Sequence, residues 1–269
     1  MKIDNHFKYT AIFIISFFII SFHIFDPISN VFAHIFTTND VSHFLSLDKR
    51  TKIELNLAEK NYPSNITLTM DHIDNAEKLV YDIYFTDDNI VDDNDFIKRY
   101  DEVMNSSSLT TYALVVADLI DETLKEYANA IVTDIDLTNM SNLRVLYDAK
   151  NLTIFSDSGN QSSNTNYTRF FSSNNSILNY ANYETAMALG AEINDIFENH
   201  LIPPSNYIDQ SRDTILKLDK NFEKLSDLVI NNGSLAELME LVYLQIYPLL
   251  QEGYGLQTKI DMNGEKMDM

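Results

Sequence analysis

The chain has 269 residues, six histidines and no cysteine, so imidazoles and carboxylates are its main chemistry-bearing groups. The missing thiols exclude disulfides, iron–sulfur clusters, thiolate zinc sites and cysteine nucleophiles together. His34, in the junction SNVFAHIF, differs in kind from the other histidines. Cleavage after Ala33 would make it the first residue, and its α-amino group and imidazole could then share one Cu(II) ion. One further imidazole, from His43 or His72, would complete a three-nitrogen site. His72 lies in MDHIDNAE, and at three and four residues on either side it has Leu68, Thr69, Asn75 and Ala76. These are poor metal partners, so its plainer reading is a satisfied core or surface histidine. His6 and His23 belong to the apolar leader, and His200 stands far from the rest in sequence.

The acidic run Asp87, Asp88, Asp92, Asp93 and Asp95 invites a calcium reading. Counted from Asp87, the sixth and twelfth positions are Asp92 and Lys98, where an EF-hand needs glycine and glutamate. A solvated loop is the better expectation. The terminal DMNGEKMDM places Asp261, Asn263 and Glu265 at alternating positions but ends before a closing ligand. No nucleophile elbow, phosphate loop, dinucleotide fingerprint or HExxH is present, so no catalysis is expected. A net charge of −21 opposes any polyanion, which excludes nucleic acid as a partner.

N-x-S/T sequons occur at Asn65, Asn105, Asn139, Asn151, Asn160, Asn166, Asn174 and Asn232. Five of them, Asn139, Asn151, Asn160, Asn166 and Asn174, crowd around a stretch rich in Asn, Ser and Thr. A glycosylated exposed loop would show this pattern.

The elements that must position these residues begin with an apolar leader. YTAIFIISFFIISFHIF, Tyr9 to Phe25, has lysines before it and Asp26-Pro27 after it, an order that keeps its start in the cytoplasm and exports the rest. As a helix it rises about 25 Å, short for a span and long for a signal core. Both a signal peptide cut near Ala33 and an uncleaved membrane anchor fit residues 1–33. From Ser42 onward apolar residues recur at helical intervals. The stripes expected to face inward are Phe44, Leu47, Leu55, Ala58 and Tyr62 in a first helix, then Ile66, Met70, Ile73, Val80 and Ile83 in a second. A short helix near Phe96–Met104 and a long one over Ser108–Ala130 follow. Residues 34–150 thus form one helical subdomain, 151–176 an exposed loop, 177–256 a second subdomain completing the bundle, and 257–269 a polar tail.

In the second subdomain, helices are expected over Asn182–Leu201 and Ser205–Asn231. Asn231-Asn232-Gly233 is a stop signal, and Ser234 to Glu237, SLAE, is a capping box for a last helix. Pro248 should kink that helix or mark its final turn. LAEKNYPSNITL and FENHLIPPSNYI each place a glutamate, a breaker and Pro-Ser-Asn before an amphipathic helix. Either good hairpin turns simply look alike, or a duplicated hairpin built the body. The fold class is all-α, an extracytoplasmic bundle of about six to seven helices.

At ALVVADLIDETLKEY and LMELVYLQIYPLLQEGYGL the chain resembles a group of uncharacterised archaeal exported or membrane-anchored proteins, all-helical after an apolar leader that ends in Phe-Ala-His. The resemblance implies an extracytoplasmic helical protein without an assigned activity. In that group the last helix carries histidines where this chain has Tyr243 and Tyr247, which weakens any metal role taken from it. The expectation is therefore an exported, acidic binding or interaction module at the cell surface. Its partner would be an unknown protein or small molecule, besides the membrane if the leader stays. The alternatives are a copper- or iron-handling protein using His34 with other histidines, and a structural envelope component.

Overall fold

A computed structural model describes Phe36 and residues 39–86, 93–131, 175–202 and 209–257. Within them the chain forms seven helices and no strands. They are α1 (Asp40–Asn61), α2 (Ile66–Thr86), α3 (Asp93–Ser106), α4 (Leu109–Ile131), α5 (Tyr180–Ile196, running on as a π-helical turn Phe197–Leu201), α6 (Asp209–Ile230) and α7 (Leu235–Leu241, a π turn Val242–Ile246, then Tyr247–Tyr254).

Local chemistry sets most of the ends. Asn39 caps α1 by accepting from the Ser42 N–H at 2.8 Å, and Ser42 Oγ accepts the Asn39 N–H in return. Asn65 accepts from Leu68 N at α2, Asn179 from Asn182 N at α5 and Ser234 from Glu237 N at α7. Helix α6 stops in a Schellman turn. The Gly233 N–H donates to Leu228 O and the Asn232 N–H to Val229 O, with Asn232 left-handed at φ 51°. A Cβ on Gly233 would lie 2.7 Å from a Leu228 methyl and 3.0 Å from the Leu228 carbonyl oxygen, so any larger residue there forces Leu228 to shift.

Both π turns precede prolines. Pro248 has no N–H to donate back to Leu244, and a regular helix would press its ring against that carbonyl. The wider turn over Val242–Ile246 takes up the misfit, so α7 widens where a kink or an end was expected. The last turn of α5 likewise ends with the Ile202 N–H donating to Phe197 O, just before Pro203.

Helix α4 is the pole of the bundle, with nearly every side chain from Ala113 to Leu124 buried. Cross-helix bonds give the directions. Glu54 meets Thr185 and Lys49 meets Glu192, so α1 and α5 are antiparallel. Tyr127 donates to Gly233 O and Tyr247 to Asp121, so α4 and α7 are antiparallel too. Ser46 meets Asp118 and Arg50 meets Glu122, which makes α1 and α4 parallel. One core cluster draws on α1 through α7, joining residues of both sequence-defined subdomains, and Phe197 packs edge-on to Phe222 at 5.1 Å within it.

The inward face of α2 differs from the expected stripe. Ile83 is buried as expected and Ile73 and Val80 are half-buried, but Ile66 and Met70 are exposed, and Thr69, His72, Ala76 and Leu79 are buried instead. In α1, Phe44, Leu47 and Ala58 are buried as expected, but Leu55 and Tyr62 are exposed. The second proline turn of the suspected duplication, and the acidic positions Asp87, Asp88 and Asp92, lie outside the described residues.

Candidate functional site

The interior carries two polar assemblies, both built on α1. The first is a ladder against α4. Ser46, Arg50 and Glu54 recur every four residues on α1, and Asp118, Glu122 and Glu126 do so on α4, so each set lies along one helix face. The Ser46 hydroxyl donates to Asp118. The Arg50 guanidinium reaches Glu122 at 2.8 Å, and Lys125 reaches the same carboxylate at 3.2 Å. On the α7 side, the buried Tyr247 hydroxyl donates to Asp121.

Burial of these charges is costly, and only close pairing offsets it. Burial pulls the Arg50 guanidinium down, but Glu122, Asp118, Glu126 and Asp82 outweigh this and hold it above its ordinary range. Glu126 is pushed up to about 7, first by burial and then by Glu122, against the opposing pull of Lys125 and Arg50. Burial also raises Asp82 on α2, although Arg50 and His43 draw it down. Burial and the neighbouring Asp121 push the Tyr247 phenol far up.

The second assembly joins α1, α2 and α5 at His72, whose side chain is wholly buried. Its Nδ1 lies 2.7 Å from Glu54 Oε2 and its Nε2 3.3 Å from Glu184 Oε2. The Thr185 hydroxyl donates to the other Glu54 oxygen at 2.7 Å. Glu184 also accepts from Asn61 at 2.7 Å and Lys60 at 3.0 Å. Burial lowers the His72 pKa, but bonding to Glu54 and then Glu184 outweighs it, and the net shift is upward from 6.5. Burial raises Glu184, but Asn61, Lys60 and His72 pull it below its ordinary 4.5.

His34 and all five sequons of the Asn139–Asn174 group lie outside the described residues. His43 is half-buried in the first turn of α1. His72 is level with Glu54, eleven residues and about 16 Å further along α1, so the two imidazoles are not brought together. Among the described residues no three His, Asp or Glu groups are arranged to hold a metal ion. At His72 the reason is geometric: the ring sits between its carboxylates with both nitrogens turned to them, so the three groups do not converge on a point. Tyr243 and Tyr247 pack edge-to-face at 5.6 Å, and Phe36 meets Tyr247 at 5.2 Å. His200 stacks on Tyr112 at 4.0 Å, and burial with Lys49 nearby lowers its pKa.

Glu54, Glu184, Arg50 and the α4 acids were not singled out from the sequence. The available signal was the four-residue spacing of acids inside the otherwise apolar ALVVADLIDETLKEY. Among the described residues no single helix is long and apolar enough to cross a membrane. No protein-family model, curated protein or solved structure matches the chain.

Proposed function

We propose that the chain is an exported, acidic, all-helical binding or interaction module at the cell surface, with no chemistry of its own. The observation that carries the reading is an apolar set at one end of the bundle. Tyr62, Ile66 and Met70 are 65%, 54% and 49% exposed on the α1–α2 turn and the first turns of α2. Tyr180 and Ile230 are exposed at the same end, where Glu184 meets Asn61 and the Tyr183 hydroxyl donates to Ile230 O. Scattered apolar side chains are ordinary on a surface, but several large ones gathered at one end of a bundle are what a contact surface for another molecule would present. The interior acids and cations, by contrast, tie helices to one another. The orientation of the leader supports export.

Protease added to intact cells of the native host should digest the body, and digestion only after lysis would overturn the export reading. A photo-crosslinking residue at position 66 of the full-length chain should give one discrete adduct. The same residue at Leu216, exposed on α6, should give none. Absence of an adduct at 66, or equal labelling at both, would overturn the interaction reading.

A further inference from the structure

We propose that the Glu54–His72–Glu184 junction is a pH-operated latch, which ties α2 to α5 while His72 is an imidazolium and lets that tie go when the proton is lost. The geometry carries the argument. A neutral imidazole has one N–H and one lone pair, yet here both ring nitrogens face carboxylate oxygens. With one N–H on Glu54, the second nitrogen faces the Glu184 carboxylate, a contact that is repulsive from a lone pair and attractive from an N–H, so the arrangement selects the doubly protonated ring.

The structure also says which contact breaks. Glu54 is the closer partner at 2.7 Å, its side chain is 4% exposed, and Thr185 holds its second oxygen. A neutral ring keeps its single N–H on Glu54, because that carboxylate is almost wholly shielded from solvent and losing the bond there costs most. Glu184 is the farther partner at 3.3 Å, 15% exposed, and Lys60 and Asn61 already satisfy it. It can turn away from a lone pair at little cost. The α1–α2 contact therefore survives deprotonation and the α2–α5 contact does not.

The charged groups facing the ring are Glu54 from α1 and Glu184 from α5, with Lys60 of α1 behind Glu184 and Glu126 of α4 electrostatically coupled to Glu54. His72 has its folded pKa above 6.5, so its contribution is complete below 6.5 and is lost as pH rises through the folded value. Glu184 is shifted down, so its contribution is present above 4.5 and is lost as pH falls through its folded value. The latch is fully closed between about 4.5 and 6.5 and opens on the alkaline side. It is independent of where the body resides.

Hydrogen exchange of the full-length chain, corrected for intrinsic rates and read by mass spectrometry from pH 6 to 9, tests this. Peptides covering Met70–Ile83 should lose protection about tenfold for each unit by which the folded His72 pKa exceeds 6.5, while those of α4 keep theirs. Glu184→Gln offers an amide N–H to the ring lone pair and should abolish the difference. Equal pH dependence in α2 and α4 would overturn the latch. So would exchange of the His72 Cε1 hydrogen in the unmodified chain titrating at or below 6.5, a measurement that stands even if the variant does not fold.

Discussion

Arg50→Met tests whether the α1–α4 ladder is held by charge pairing. Methionine preserves most of the apolar stem of Arg50, so packing along α1 changes little while the cation disappears. Glu122, 2% exposed, then loses its closest cation while Lys125 stays at 3.2 Å, and Asp118 and Glu126 lose the guanidinium that faces them. Removing one partner of a fully buried pair costs about 3–5 kcal/mol. Arg50 is itself 19% exposed and Lys125 remains, so the expected loss here is about 2–4 kcal/mol. Urea unfolding of the full-length chain, followed by helical circular dichroism, should show a lower midpoint at an unchanged slope. Arg50→Met with Glu122→Met removes both charges and replaces them with apolar volume, so it should recover to within about 1 kcal/mol of the parent. A single-variant cost below about 1 kcal/mol, or a double variant equal to the sum of its singles, would refute the reasoning.

Glu126 has its folded pKa raised from 4.5 to about 7, so the ionised form is disfavoured in the bundle and stability falls as pH rises between those values. Glu126→Gln, which copies the protonated acid, should match the parent at pH 4 and exceed it by about 1–2 kcal/mol at pH 8.5, after allowance for partial exposure. Tyr247→Phe removes the hydroxyl that donates to buried Asp121 and should cost about 1–3 kcal/mol in urea unfolding. Gly233→Ala forces a Cβ against Leu228 in the α6–α7 turn and should lower the thermal midpoint, with a loss of about 1–3 kcal/mol.

The parts of the fold legible in the sequence are those decided locally. The Ser234 cap and the Asn231-Asn232-Gly233 stop act within five residues, and both sit where their chemistry places them. The first turns of α2 were misread for a physical reason: Ile66 and Met70 are apolar, while Thr69 and His72 are polar, so a hydrophobic stripe picks the wrong side there, although it places Ile83 correctly. His72 turns inward because Glu54 and Glu184, 18 and 112 residues away, receive it there. No local pattern encodes that. The expected metal partners of His72 were sought one turn away on its own helix, whereas its partners come from two other helices. Pro248 was recognised as a disturbance, but its relief by a widened turn depends on how α7 packs against α4 and α6.

The ladder between α1 and α4 has a constant separation: Ser46 to Asp118 and Arg50 to Glu122 are each 72 residues, and Glu54 feels Glu126 at the same offset. Residues gained or lost in the connections between these helices change that offset but leave every rung opposite its partner. One residue gained inside Ser46–Glu54 or Asp118–Glu126 turns everything beyond it by about 100° and takes the following rungs out of line. Chains of common descent with this one should therefore vary in length at the joints, while those two nine-residue spans stay free of gaps.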